Sequence, residues 1–163
     1  MPISDHAGLT LTVGHHYNGD CDVTVSVNSG GFQGFGCAHF GISEVVDFVA
    51  ATKVLAATSA GQVTLQGGWL SPDGTQNYSV NLTMRQHGVR GYLLVLAELA
   101  SKPQFFQGAD SLTSHIMSRV SASQMVEPAS LARFAEELAT IPKGANVKAY
   151  LHGGDAAARY HST

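Results

Sequence analysis

The sequence contains few charged side chains. Charged residues make up only 13% of the 163-residue chain, and nine Lys and Arg against twelve Asp and Glu give a formal net charge of −3. Nucleic-acid-binding proteins normally carry a clustered positive excess, so this balance argues against a nucleic-acid partner. Arg85, Arg90 and Arg119 lie on expected strands without the aromatic box of an RNA-recognition motif.

Cysteines and long apolar runs are also scarce. The two cysteines, Cys21 and Cys37, form no CxxC motif, and we expect free thiols packed as small hydrophobic groups. No stretch approaches the roughly 18 apolar residues of a membrane-spanning helix. The first residues lack the basic start and apolar run of a secretory signal. These absences predict a cytoplasmic protein with no membrane partner.

The composition is that of a folded domain. A hydrophobic fraction of 44%, with 18 Gly and only five Pro, excludes a disordered or collagen-like chain. A chain of this length can bury a core without a disulfide or a metal. We expect residues 1–163 to form a single domain, with a core over about 9–141 and a C-terminal extension over 142–163.

Hydrophobic periodicity predicts the secondary structure. A 3.6-residue period predicts one helix over about 44–57, capped by Ser43, and another from Pro128 to about Ile141. Strands in consecutive runs predict an α+β fold, in which an antiparallel twisted sheet of about six to seven strands carries both helices on one face. Alternation places the strands at Leu9–Val13, Val23–Val27, Phe32–Phe40, Gln62–Leu70, Tyr78–Met84, Val89–Leu99 and Leu112–Val120.

Two glycines stand out in the third expected strand. Gly34 and Gly36 fall on the same face as Ala38 and Phe40. A glycine inside a strand permits a bulge or a close approach by another element. We therefore expect a bulge or a closely packed helix at this strand.

Catalytic and ligand-binding motifs are absent from the sequence. The adjacent His15 and His16 would point to opposite faces of a strand, and none of the eight histidines forms an HxH or HExxH motif. The segment from Gly30 to Gly36 lacks the third glycine of a dinucleotide fingerprint. The sequence therefore predicts no metal and no cofactor.

One arrangement keeps an enzymatic alternative open. Cys37 and His39 lie two residues apart on one strand face, where a thiol and an imidazole could approach each other. Together with His115 they could form a dispersed site. No acidic residue that could orient the imidazole lies nearby in the sequence. We therefore favour a protein that is not an enzyme.

A longer pattern runs from Val23 to Ile141 and resembles a known family. The chain is similar to the WapI-like immunity proteins, which are small cytoplasmic bacterial proteins often encoded beside polymorphic toxins. The resemblance is carried by Gly31-Phe-Gln-Gly34, by a helix with Glu44, Phe48 and Leu55, by Gly61-Gln-Val-Thr-Leu65, by Ser79-Val-Asn-Leu-Thr-Met84, by Ser114-His-Ile-Met-Ser-Arg-Val120 and by Leu131-Ala-Arg-Phe-Ala-Glu-Glu-Leu138.

The resemblance implies a non-catalytic function in which the chain binds and neutralises a cognate toxin by contact. A mildly acidic surface can steer a basic partner, such as a nuclease domain. A homo-oligomeric module, such as a homodimer joined through strand edges or Val89–Leu99, is a further alternative. The candidate partner-binding residues lie in expected loops and strand ends: Asp20, Asp22, Trp69, Asp73, His87 and Arg90.

Overall fold

The computed structural model describes residues 7–15, 19–29, 31–70, 73–101, 118–140 and 146–153, which form eight strands and two helices. In chain order these are β1 Gly8–His15, β2 Asp20–Ser29, β3 Phe32–Gly41, α1 Ile42–Thr58, β4 Gln62–Leu70, β5 Gln76–His87, β6 Tyr92–Ala100, β7 Arg119–Val126, α2 Pro128–Leu138 and β8 Val147–His152.

The strands form two antiparallel sheets of four strands each. The first sheet has the order β3-β2-β1-β8, and the second has the order β4-β5-β6-β7. The α+β class and the two helices are confirmed, whereas the expected single sheet of six to seven strands is wrong. Alternation identifies which residues are extended but not which strands pair, and β4 pairs with β5 instead of continuing the sheet from β3.

The two sheets are built alike, although β8 comes last in the chain. The first sheet is the meander β1-β2-β3 followed by α1, and β8 pairs with β1 to complete it. The second sheet is the meander β4-β5-β6-β7 followed by α2. Helix α1 leads from β3 to β4 and helix α2 leads from β7 to β8, so each helix connects the two sheets.

The core extends further along the chain than the expected 9–141. Val147 is 6% exposed, and Ala149 and Leu151 are fully buried on β8, where they lie opposite residues of β1. The expected extension 142–163 therefore contributes a core strand. The strand expected over Leu112–Val120 is observed at Arg119–Val126, and residues 112–117 lie outside the described part of the chain.

Both helices contribute buried faces to a core shared with the two sheets. The 3.6-residue period places Val46, Phe48 and Leu55 on one apolar stripe of α1, and of these Phe48 and Leu55 are buried, whereas Val46 is 38% exposed. Helix α1 begins at Ile42 after Gly41, whose N–H donates to Glu44 Oε2 at 2.8 Å, so Ser43 is not the cap. On α2 the fully buried residues are Leu131, Phe134, Ala135 and Leu138.

Strand β3 crosses the second sheet in close contact. A Cβ atom at Gly34 would overlap the side chain of Val120 on β7, and one at Gly36 would overlap the main-chain oxygen of Ser79 on β5. A Cβ atom at Gly67 on β4 would overlap Ala38 and Phe40. The close approach expected at Gly34 and Gly36 is therefore present, but the neighbour is the second sheet.

A buried hydrogen bond joins the two sheets at this crossing. Ser79 is only 1% exposed, and its Oγ donates to the main-chain oxygen of Cys37 at 2.6 Å. A buried hydroxyl without a partner would be costly, so this contact favours one position of β3 over the second sheet.

We predict that Gly36→Ala destabilises the protein by about 2–3 kcal/mol, because the added methyl group meets a main-chain atom that has no rotamer to change. Gly34→Ala should cost less, because its neighbour is the Val120 side chain. Urea unfolding of the purified variants measures both effects.

The matched control for this comparison is Val120→Ala. It removes the methyl group in the shortest contact and should recover part of the lost stability in the Gly34→Ala background and none of it in the Gly36→Ala background. A Gly36→Ala variant as stable as the natural protein would show that the main chains do not meet at this point.

Candidate functional site: the outer face of the first sheet

One face of the first sheet points away from the core. Because side chains alternate along a strand, the inward residues of β2, such as Val23 and Val25, are fully buried while their neighbours point outward. We call the opposite surface the outer face. Its side chains are Thr10, Thr12, Asp20, Asp22, Thr24, Ser26, Asn28, Gln33, Phe35, Cys37, His39, Lys148, Tyr150 and His152.

Two carboxylates and an imidazole meet at one end of the outer face. His39 lies directly opposite Asp22 in the ladder between β2 and β3. Its Nδ1 is 3.0 Å from Asp22 Oδ1, and its Nε2 is 3.3 Å from Asp20 Oδ2. The two expected contact residues Asp20 and Asp22 therefore act on the same ring, which lies 17 residues from Asp22 in sequence.

This carboxylate–imidazole cluster favours the protonated imidazole. The hydrogen bond to Asp22, followed by the hydrogen bond to Asp20, raises the pKa of His39 above its ordinary value. The side chains remain accessible, with exposed fractions of 56% for His39, 38% for Asp20 and 47% for Asp22. The cluster is thus a fixed, solvent-exposed group of charges.

In the alternative enzymatic site, the imidazole of His39 contacts carboxylates. Cys37 and His39 share the outer face, but both ring nitrogens of His39 contact aspartates. Cys21 points into the core, and burial raises the pKa of its thiol, which disfavours the reactive thiolate. His115 lies outside the described residues. Across the described ranges, no three His, Cys, Asp or Glu side chains are placed to hold a metal ion.

Aromatic side chains mark the other end of the outer face. Phe35 is 65% exposed on this face, whereas Phe32, which is 77% exposed, falls by alternation on the opposite side of β3 with Gly34 and Gly36. Tyr150, Thr10, Ser26 and Phe35 form one row across all four strands. Between the two rings of this row lies a cleft of about 400 Å³, whose lining residues include Gly8, Thr10, Ser26, Asn28, Gln33, Phe35 and Tyr150.

Glycine at position 8 shapes this cleft. A Cβ atom at Gly8 would overlap the ring of Tyr150, so that ring lies over the glycine on the neighbouring strand. The ring also meets His152 edge to face, with centroids 4.3 Å apart. Tyr150 and Phe35 are not among the residues expected from the sequence, although alternation places Phe35 on the face of β3 opposite to Gly34 and Gly36.

The remaining expected contact residues lie on the second sheet and are far apart. Trp69 is half-buried near the end of β4, and Asp73 in the following turn accepts a hydrogen bond from the Thr75 N–H at 2.9 Å. His87 and Arg90 lie at the opposite end of β5, about 35 Å away by the rise of an extended strand. These four residues do not form one cluster with Asp20 and Asp22.

A second cleft lies on the exposed face of the second sheet. There Gln66 donates to Asn81 at 3.0 Å, and Asn81 donates to Glu98 at 2.7 Å. Arg119 and Tyr78 also line this cleft of about 390 Å³. It combines both signs of charge, whereas the described residues that line the cleft on the outer face are all uncharged.

No protein family, curated protein or solved structure matches the chain. Neither helix of the described ranges is long and apolar enough to cross a membrane. Functional inference therefore depends on the geometry of the outer face.

We predict that Asp22→Asn lowers the pKa of His39 more than Asp20→Asn does, because the hydrogen bond to Asp22 is the larger cause of the raised value. Titration of the His39 ring protons by NMR measures this difference. Asp73→Asn, in another hairpin, should leave the His39 titration unchanged. Equal pKa values of His39 in all three variants would contradict the contacts of His39 with Asp20 and Asp22.

The same cluster predicts a pH-dependent stability. The pKa of His39 is higher in the folded than in the unfolded chain, so its stabilising contribution is complete below about pH 6.5, the ordinary value for histidine. The contribution is lost as the pH rises through the folded value. Asp22→Asn should therefore destabilise the protein more at pH 5 than at pH 8 in urea unfolding, and the reverse order would contradict this assignment.

Proposed function

We propose that the chain is a non-catalytic binding protein of the immunity type, which neutralises a cognate protein toxin by contact through the outer face. The observation that supports this proposal best is that one sheet surface carries both a fixed carboxylate cluster and the exposed Phe35. The resemblance to the WapI-like immunity family supplies the expectation that the partner is a toxin.

The carboxylate cluster suits a basic partner. Asp20 and Asp22 are held by His39 in a fixed arrangement, so less side-chain freedom is lost when a partner binds. Their accessible oxygens can accept hydrogen bonds from Lys or Arg of a toxin. The net charge of −3 has the sign that steers such a partner toward the complex.

The exposed aromatic side chains suit an interface core. Aromatic residues are enriched at protein interfaces and carry a large share of the binding energy. Phe35 lies about 13 Å from the row of Asp22 and His39, as judged from the rise of four strand residues. Both features therefore fit within one interface of standard size, which buries about 800 Å² on each partner.

The test of the proposal is a binding and protection experiment with the product of the neighbouring gene. The two proteins should co-purify, and expression of this chain should abolish the toxicity of that product. Phe35→Ala and the double change Asp20→Asn, Asp22→Asn should each weaken the complex at least tenfold, which calorimetry measures.

Matched control variants lie on the second sheet. Asp73→Asn and Arg90→Ala change exposed charges there and should leave the affinity unchanged. Loss of binding in these two variants alone would place the toxin contact on the second sheet instead. The absence of both complex and protection would contradict the proposed function.

A further inference from the structure

We propose that the cleft between Phe35 and Tyr150 binds a neutral oligosaccharide. The volume of about 400 Å³ lies within the range of roughly 300–1,000 Å³ that is typical of small-ligand sites. Its lining combines aromatic rings with uncharged hydrogen-bonding groups, which is the combination that a sugar requires.

The two ends of the cleft are aromatic. Phe35 rises from β3 with 65% of its surface exposed, and Tyr150 lies on β8, so three strand spacings of roughly 14 Å in total separate their Cα atoms. The Tyr150 ring lies over Gly8 on β1, which brings the two rings closer than this. Sugar rings have a flat C–H surface that packs on an aromatic ring. A span of this length suits a short oligomer that contacts both rings.

The floor and one side of the cleft are polar and uncharged. Thr10 and Ser26 lie between the two rings in the same row and present hydroxyl groups. Asn28 and Gln33 lie opposite each other in the next row on that face and present amides. Hydroxyls and amides both donate and accept hydrogen bonds, which matches the neighbouring hydroxyl groups of a sugar.

The lining also discriminates against other ligands. None of the described residues that line this cleft is charged, so none of them would compensate the charge of a phosphate, a carboxylate or an amine. An extended peptide that adds to a sheet pairs with the main chain of an edge strand. The outer face of a sheet presents side chains instead, which favours a ligand recognised through its rings and hydroxyl groups.

Gly8 acts here as a positioning residue. Because a Cβ atom would displace the Tyr150 ring, Gly8→Ala should weaken sugar binding by moving one wall of the cleft. The displaced group is the far end of a flexible side chain, so the fold can tolerate the change. This inference does not depend on the toxin proposal, and either can fail without the other.

The test is an NMR titration of the ¹⁵N-labelled protein with maltohexaose, cellohexaose and chitohexaose. We expect saturable shifts at Thr10, Ser26, Phe35 and Tyr150 with at least one of these probes. Phe35→Ala and Gly8→Ala should each weaken that binding at least tenfold.

Phe32→Ala is the matched control, because Phe32 is exposed on the same strand but does not line the cleft. It should retain the affinity of the natural protein, and the dispersion of each variant's spectrum shows that it is folded. Failure of all three probes to saturate would overturn the proposal. Equal affinity of folded Phe35→Ala, or saturable shifts confined to the second sheet, would overturn it too.

Discussion

The contact between the main chains of β3 and β5 is the constraint on which the rest of the structure depends. At Gly36 the strand passes so close to Ser79 that no side chain fits between them. The Ser79 hydroxyl joins Cys37 across the same contact. Large side chains at this contact would hold the two sheets further apart. Glycine here therefore brings the buried faces of both sheets into one shared core.

This crossing also determines what the protein presents to solvent. Because the inward residues of β3 pack against the second sheet, alternation directs the side chains of Phe35, Cys37 and His39 to the outer face. The exposed edge of a sheet is a site for unwanted pairing, and the crossing ties the edge strand β3 to a second sheet. A rigid sheet is a suitable support for a binding surface, because little order is lost on association.

Much of the local structure could be predicted from the sequence, and the long-range pairing could not. Alternation and helical periodicity reflect the faces of single elements, which is why β1 to β6 and both helices were found near their observed positions. The division into two sheets and the use of β8 depend on partners distant in the chain. Glycines at 34 and 36 correctly indicated a close neighbour, but the expected neighbour was a helix and the observed one is the second sheet. Asp20 and Asp22 were chosen from their surface position, but their contact with His39 depends on the register of β2 and β3.

The most direct test of this account is a NOESY spectrum of the protein with labelled glycine, valine and leucine. The account predicts contacts from the Gly34 α-protons to the Val120 methyl groups and from the Gly36 α-protons to the Leu99 side chain, which lies beside that glycine. Glycine contacts to α1 or α2 in place of these would show that a helix covers β3, and would contradict the crossing of the two sheets.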